Sequence, residues 1–206
     1  MLIVTLLEAL ELGLIYSILA LGVFLSFRTL NTPDLTVDGS IVTGAAISAV
    51  MCTAAAEMSP AVQGLVCVAG LLLAFVFGMG LAGILVMLGI YSINLRIQGK
   101  ANVNLTSTPT IYDMAEEKLG GFQWSSIILG IIIAVIIILL MYGFLKTRKG
   151  FALRATGDNE EMVRAAGISS DNMKLLGLSV SNGLVGLAGG LLAASCLEGN
   201  ISLCAE

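Results

Sequence analysis

Stretches of roughly twenty consecutive apolar residues constrain this chain more than any other feature. A helix crossing the hydrocarbon core of a bilayer needs about 20 mostly apolar residues. Five segments reach or approach that length: Leu2 to Phe27, Val37 to Ala56, Val62 to Ile93, Ser125 to Phe144, and Leu175 to about Leu197. Charged residues make up only 12% of the chain, against about 25% in a soluble domain. Glycines lie inside the apolar runs, where small side chains let helix backbones approach closely. The expected fold is therefore all-α, a polytopic transmembrane bundle. Met1 to Phe27 reads as a retained helix, because no basic residue precedes Arg28 and no small-residue cleavage site follows the run.

Lys and Arg collect in loops on the cytoplasmic side. Lys146, Arg148, Lys149, Arg154, Arg164 and Lys174, six of the 10 basic residues, lie between the fourth and fifth segments. Residues 146–174 are thus expected to form a cytoplasmic loop within a single membrane domain spanning 1–206. Arg28, Arg96 and Lys100 follow the first and third segments and place those ends inside as well. The N-terminus then lies outside, and something between Ala101 and Gln123 has to cross, although that stretch is polar. Irregular backbone at membrane depth requires protein or a water cavity around it. Either Ala101 to Met114 is a broken, enclosed crossing, or the N-terminus is inside and Arg28, Arg96 and Lys100 face out. The first is preferred because Lys and Arg set topology so strongly.

Chemistry narrows the function by exclusion. The chain has no His, no Cys with a partner base and no Gly-rich phosphate loop, so no catalytic residue and no cofactor site is assigned. One carboxylate pair is too few ligands for a metal. Cys52 and Cys67 read as small hydrophobes inside apolar runs, and the cysteine spacing suggests no disulfide framework. No basic patch interleaved with aromatics points to nucleic acid.

Three local patterns remain. Pro33 to Ser40 joins two apolar segments almost without a loop and carries Asp34 and Asp38 four residues apart. Charge within a membrane segment marks a pathway or a paired interior site, and transporters build such sites from interrupted helices. A discontinuous helix is expected here, with Asp34, Thr36, Asp38 and Gly39 as candidates for a translocation path. Capping of the second helix by Asp34 or Thr36 is an equally good and compatible reading. The second pattern is Asp158-Asn159-Glu160-Glu161, which looks like a helix start with Asp158 at the cap, and Gly167 is placed to end that short helix in the left-handed conformation. On composition alone the loop is a solvated connector. Third, Gly78, Gly80 and Gly83, and Gly183, Gly186, Gly189 and Gly190, put small residues on helix faces, Gly186 and Gly190 with GxxxG spacing. Asn94 and Asn182 sit at segment ends, with interhelical bonding favoured over solute contact.

Three passages resemble a known family: GLIYSILALGVFLSFRTLNTPDLTVDGS (Gly13 to Ser40), YSINLRIQGKANVNL (Tyr91 to Leu105) and LRATGDNEEMVRAAGISSDNMKLLGLSVSNGLVGLAGGLLA (Leu153 to Ala193). They are similar to bacterial ABC-importer permeases of the branched-chain amino acid and ribose permease superfamily, nearest the branch associated with tyrosine- or tryptophan-type amino acids. The resemblance implies a multi-pass subunit of the bacterial cell membrane, paired with a second permease copy and surrounded by lipid. It implies a separate cytoplasmic ABC ATPase and an extracytoplasmic solute-binding protein as partners. Arg154, Gly157, Asp158, Asn159, Glu160, Arg164 and Gly167 would form or flank the coupling helix around Asn159 to Ala166. Asp34, Thr36, Asp38, Gly39, Asn94 and Asn182 would border the solute path. The terminal SCLEGNISLCAE departs from the family pattern, so a C-terminally truncated permease is expected. The alternatives are an ion-coupled secondary transporter using Asp34 and Asp38, or a non-functional remnant.

Overall fold

The computed structural model describes residues 2–31, 34, 36–55, 60–79, 96 and 125–195. Every regular element among them is helical. In chain order these are α1 (Leu2–Phe24), which continues as a π-helical turn over Leu25–Thr29, α2 (Val37–Ala55), α3 (Pro60–Met79), α4 (Ser125–Lys146), α5 (Arg148–Asp158), α6 (Glu160–Ala165) and α7 (Ser170–Ser195). Five of these helices (α1 with its π turn, α2, α3, α4 and α7) are long and apolar enough to cross a membrane. The expected all-α polytopic bundle is what the chain forms.

Helix α7 is the central element, packing on α2 and α3, which also pack on each other, and on α1. Lipid is as apolar as a leucine side chain, so helices in a membrane associate by close packing rather than by apolar burial. Glycine supplies that closeness here. A Cβ on Gly186 would meet the Ala74 carbonyl oxygen of α3 at 2.6 Å, and one on Gly190 would meet Leu71 Cδ2 at 2.9 Å. The GxxxG pair therefore faces α3. Gly189 points the other way, to the backbone of Ile41 on α2, and Gly44 of α2 lies against the Gly186 carbonyl. Gly78 approaches the Asn182 carbonyl, whereas Gly80 and Gly83 lie outside the described residues. By contrast α4 turns Ile131, Ile132, Ile136, Leu139 and Leu140 outward, as a lipid-facing helix does.

These contacts fix the helix directions. Ser40, Gly44 and Ser48 meet Asn182, Gly186 and Gly190 in rising order, so α2 and α7 run parallel. Leu71, Ala74 and Gly78 meet Gly190, Gly186 and Asn182 in falling order, so α3 runs antiparallel to α7. The end of α1, the starts of α2 and α7, and the end of α4 with the basic loop after it all share one end of the bundle. Arg28 thus sits at the same end as the 146–174 loop, which agrees with the orientation preferred from charge. The polar stretch 101–123, and with it the crossing expected there, lies outside the described residues, as does Asn94.

Three expectations need correction. The fifth segment begins at Ser170 rather than Leu175; its first turn is polar because it stands beyond the apolar span. Asn182 is therefore in the middle of a helix rather than at its end, and it is fully buried. The basic loop is mostly helical, with α5 preceding α6.

Candidate functional site

The chain leaves α1 through the π-helical turn, in which Leu30 N–H donates to the Leu25 carbonyl at 3.2 Å. Asn31 follows at φ 52°, a left-handed conformation that Asn tolerates better than most residues. Helix α2 starts afresh at Val37, so the discontinuity expected near Pro33–Ser40 is present. The new helix needs partners for its first free N–H groups. Asp34 lies just ahead of it, and its Oδ1 accepts from Thr36 N at 3.0 Å and from the Thr36 hydroxyl. The capping reading of Asp34 is borne out.

The same carboxylate also reaches across the bundle. Its Oδ2 accepts from Asn182 Nδ2 at 2.6 Å, over 148 positions of sequence. Asn182 Oδ1 in turn faces the Ser40 hydroxyl at 3.1 Å and the Thr36 hydroxyl at 3.3 Å. A hydroxyl donates one proton. With the Thr36 proton on the carboxylate, the asparagine oxygen is left to the Ser40 hydroxyl, whose one proton it shares with the Thr36 carbonyl, also at 3.1 Å. Asp34, Thr36, Ser40 and Asn182 are all buried, and buried polar groups persist only when bonded in this way. The cluster locks the broken end of α2 to the middle of α7.

Sequence reading named Asp34, Thr36 and Asn182, and the structure brings those three together. Ser40 was missed: the signal was its place one turn after Thr36. Gly39 is buried in the first turn of α2, outside the bonded cluster. Asp38 is exposed and faces elsewhere, so the two carboxylates do not share one site. Among the described residues no group of three or more His, Cys, Asp or Glu could hold a metal.

The second constellation is the basic loop. Thr147 caps α5, its hydroxyl accepting from Gly150 N at 3.2 Å, and Arg154 donates to the Leu145 carbonyl at the end of α4 at 2.7 Å. Cations near a helix C-terminus satisfy such free carbonyls. Asp158 closes α5 instead of capping the next helix. Asn159 is that cap, with Oδ1 accepting from Met162 N at 3.0 Å. The shift by one residue arises because α5, unforeseen, extends through Asp158. Gly167 ends the short helix at φ +80°, as expected.

Glu160 ties α6 to the start of α7. Its carboxylate meets Arg164 at 2.8 Å, the Ser170 hydroxyl at 3.0 Å and Lys174. Arg164 Nε also donates to Ser170 Oγ at 2.7 Å, and its Nη2 lies 3.4 Å from Asp171. The Lys174 ammonium, followed by the Ser170 hydroxyl, holds the Glu160 carboxyl below its ordinary value. A lowered folded pKa means the stabilisation is present above the unfolded value of about 4.3. It is lost as pH falls through the lowered folded value. Protection of the amides over 160–174, measured against the intrinsic exchange rate at each pH, is expected to hold at neutral pH and to fall below about pH 4. Glu160→Gln should remove that acid step, and a step of unchanged size in the variant would assign it elsewhere.

The loop is also joined to the break. Leu153 of α5 is fully buried and, with Leu30, packs on Gly177 of α7. Gly157 lies directly on the backbone of Thr29 and Leu30, where a side chain would overlap the Thr29 carbonyl. Facing away from the bundle, Phe151 is 73% exposed and Met162 72% exposed. Neither was singled out by sequence reading, since single apolar residues in a polar loop carry no periodic signal.

Residues 5–203 match the family model described as branched-chain amino acid transport system / permease component, and the chain belongs to that family. It is 39% identical over 191 residues to a tyrosine transport system permease protein of Clostridioides difficile (strain R20291), covering 88% of this chain and 61% of that one. It is 34% identical over 196 residues to an uncharacterized protein of Rickettsia prowazekii (strain Madrid E), covering 91% and 67% respectively. The chain thus spans about three fifths of the first relative's length. No solved structure matches it.

Proposed function

We propose that the chain is the membrane-spanning permease subunit of an ATP-binding-cassette importer in a bacterial cell membrane, serving an amino acid or similar small solute. Hydrolysis of ATP would fall to a separate cytoplasmic ATPase, solute delivery to an extracytoplasmic binding protein, and a second permease copy would complete the path. Family membership supports the class, and the tyrosine system of the C. difficile relative supports an amino-acid cargo. The observation that carries the mechanical reading is the contact of Gly157 with Thr29 and Leu30, because it joins the loop to the end of α1 immediately before the break.

In this reading α6, with Asn159, Glu160, Arg164 and Gly167, seats in the ATPase, and Met162 supplies its exposed apolar contact. Arg154, Gly157 and Asp158 carry the displacement through α5. The break borders the solute route, with Asp38 and Gly39 at the start of α2 and Asn94 as a further candidate. Asp34, Thr36 and Asn182 hold the break in shape, since their polar groups bond one another. An ion-coupled carrier is less well supported, because Asp34 and Asp38 do not converge.

Met162→Asp is expected to reduce co-purification with the cognate ATPase at least tenfold, about 1.4 kcal/mol of docking energy, at unchanged membrane insertion. Asn159→Ala, which removes a helix cap worth about 1 kcal/mol, should weaken coupling of uptake to hydrolysis more than insertion. An ATPase that binds both variants like the parent chain would refute the docking role, and uptake independent of any ATPase would refute the importer reading.

A further inference from the structure

Cys52 lies in the fourth-last position of α2 and Cys67 in the first half of α3, both toward the hairpin end remote from the basic loop. Their side chains are 1% and 0% exposed. Both are free thiols whose sulfurs lie 2.7 Å apart, closer than an ordinary non-bonded sulfur contact. One turn further along α3, Gly70 lets the helices come together: a Cβ there would meet Met51 Cβ at 3.0 Å, and Met51 immediately precedes Cys52. Two facing thiols on helices held this close need only about 0.7 Å of further approach to reach the bonded distance of about 2.05 Å.

We infer that Cys52 and Cys67 are a vicinal redox pair that closes into a disulfide stapling α2 to α3. Burial selects the oxidant: a small, neutral two-electron oxidant of the peroxide class reaches the pair, whereas a protein oxidoreductase does not. As one sulfur attacks a peroxide oxygen, the S–O bond forms, the O–O bond breaks and the thiol proton passes to the departing hydroxide, giving a sulfenic acid and one water. The second thiol then displaces that hydroxyl, forming the S–S bond and releasing a second water. In sum, two thiols and one hydrogen peroxide give one disulfide and two waters. The staple joins the helix that starts at the break to its hairpin partner, and it stands independently of the permease assignment.

The test uses the whole chain in its native membrane, with a protease site introduced between residues 56 and 59. After dilute hydrogen peroxide and blocking with N-ethylmaleimide, cleavage should give fragments that migrate together in non-reducing denaturing gels and separate with dithiothreitol. Alkylation of Cys52 and Cys67 after denaturation should fall roughly tenfold, and Cys52→Ser should abolish the joined species. Thiols at 52 and 67 that stay fully alkylatable, or a pairing of either with Cys196 or Cys204, would overturn the inference. The readout requires no transport, so failure of the staple and failure of the importer reading are separately visible.

Discussion

Asp34→Ala is expected to destabilise the bundle by about 2–4 kcal/mol, seen as a lower midpoint of thermal unfolding in detergent. The carboxylate accepts from Thr36 N, the Thr36 hydroxyl and Asn182 Nδ2. Its loss uncaps α2 and strands buried donors on two helices at once. Interhelical hydrogen bonds in membranes average only about 0.6 kcal/mol, so the asparagine link alone would give a small effect. Most of the cost comes from donors that lose their acceptor where water cannot replace it. Asp34→Asn should fall between, because the amide keeps one acceptor oxygen but turns an NH2 toward a second donor. The Asp34→Ala, Asn182→Ala double variant should be about 0.5–1.5 kcal/mol less damaging than the sum of the singles. Strict additivity would mean that the two side chains do not share a bond.

The membrane architecture was legible because it rests on a one-dimensional quantity. Apolar run length placed α1, α2 and α4 to within a few residues of their bounds. Charge placed Arg28 and the 146–174 loop at one end of the bundle, where helix directions also put them. The capping chemistry at Asp34 and the left-handed Gly167 were legible too, since each is decided by a few consecutive residues. What escaped was set by partners far away in the chain. Asn182 looked peripheral because its helix was judged from hydropathy, which misses the polar turn from Ser170. Its true role depends on a carboxylate 148 positions earlier. Helix α5 was hidden for a related reason. Its sequence, RKGFALRATGD, has two glycines and a basic start, and its one fully buried apolar anchor, Leu153, gains meaning only against Leu30 and Gly177. The facing of Cys52 and Cys67 likewise needed the phase of two helices, which spacing alone does not supply.

The other large effect is expected at Gly44, where a single methyl group tests the crossing of α2 and α7. A Cβ there would fall on the carbonyl oxygen of Gly186, with the Gly186 Cα at 2.9 Å. The obstacle is backbone, which cannot rotate away as a side-chain end can, so the helices themselves must separate. Overpacking a well-filled interior costs about 1–3 kcal/mol, and Gly44→Ala should lie at or above the upper end of that range. Separation at this level also strains the nearby Ser40 and Asn182 contact, 3.1 Å across the same interface, adding to the loss. Gly13→Ala is the matched control, because nothing lies within 4 Å of a Cβ at that position. There alanine should be neutral or stabilising by up to about 1 kcal/mol through its better helix propensity. The two variants therefore separate the intrinsic preference for alanine from the demand for closeness. Equal thermal midpoints for Gly44→Ala and Gly13→Ala would show that α2 and α7 do not meet backbone to backbone, and the lock between the broken helix and the bundle centre would lose its geometric basis.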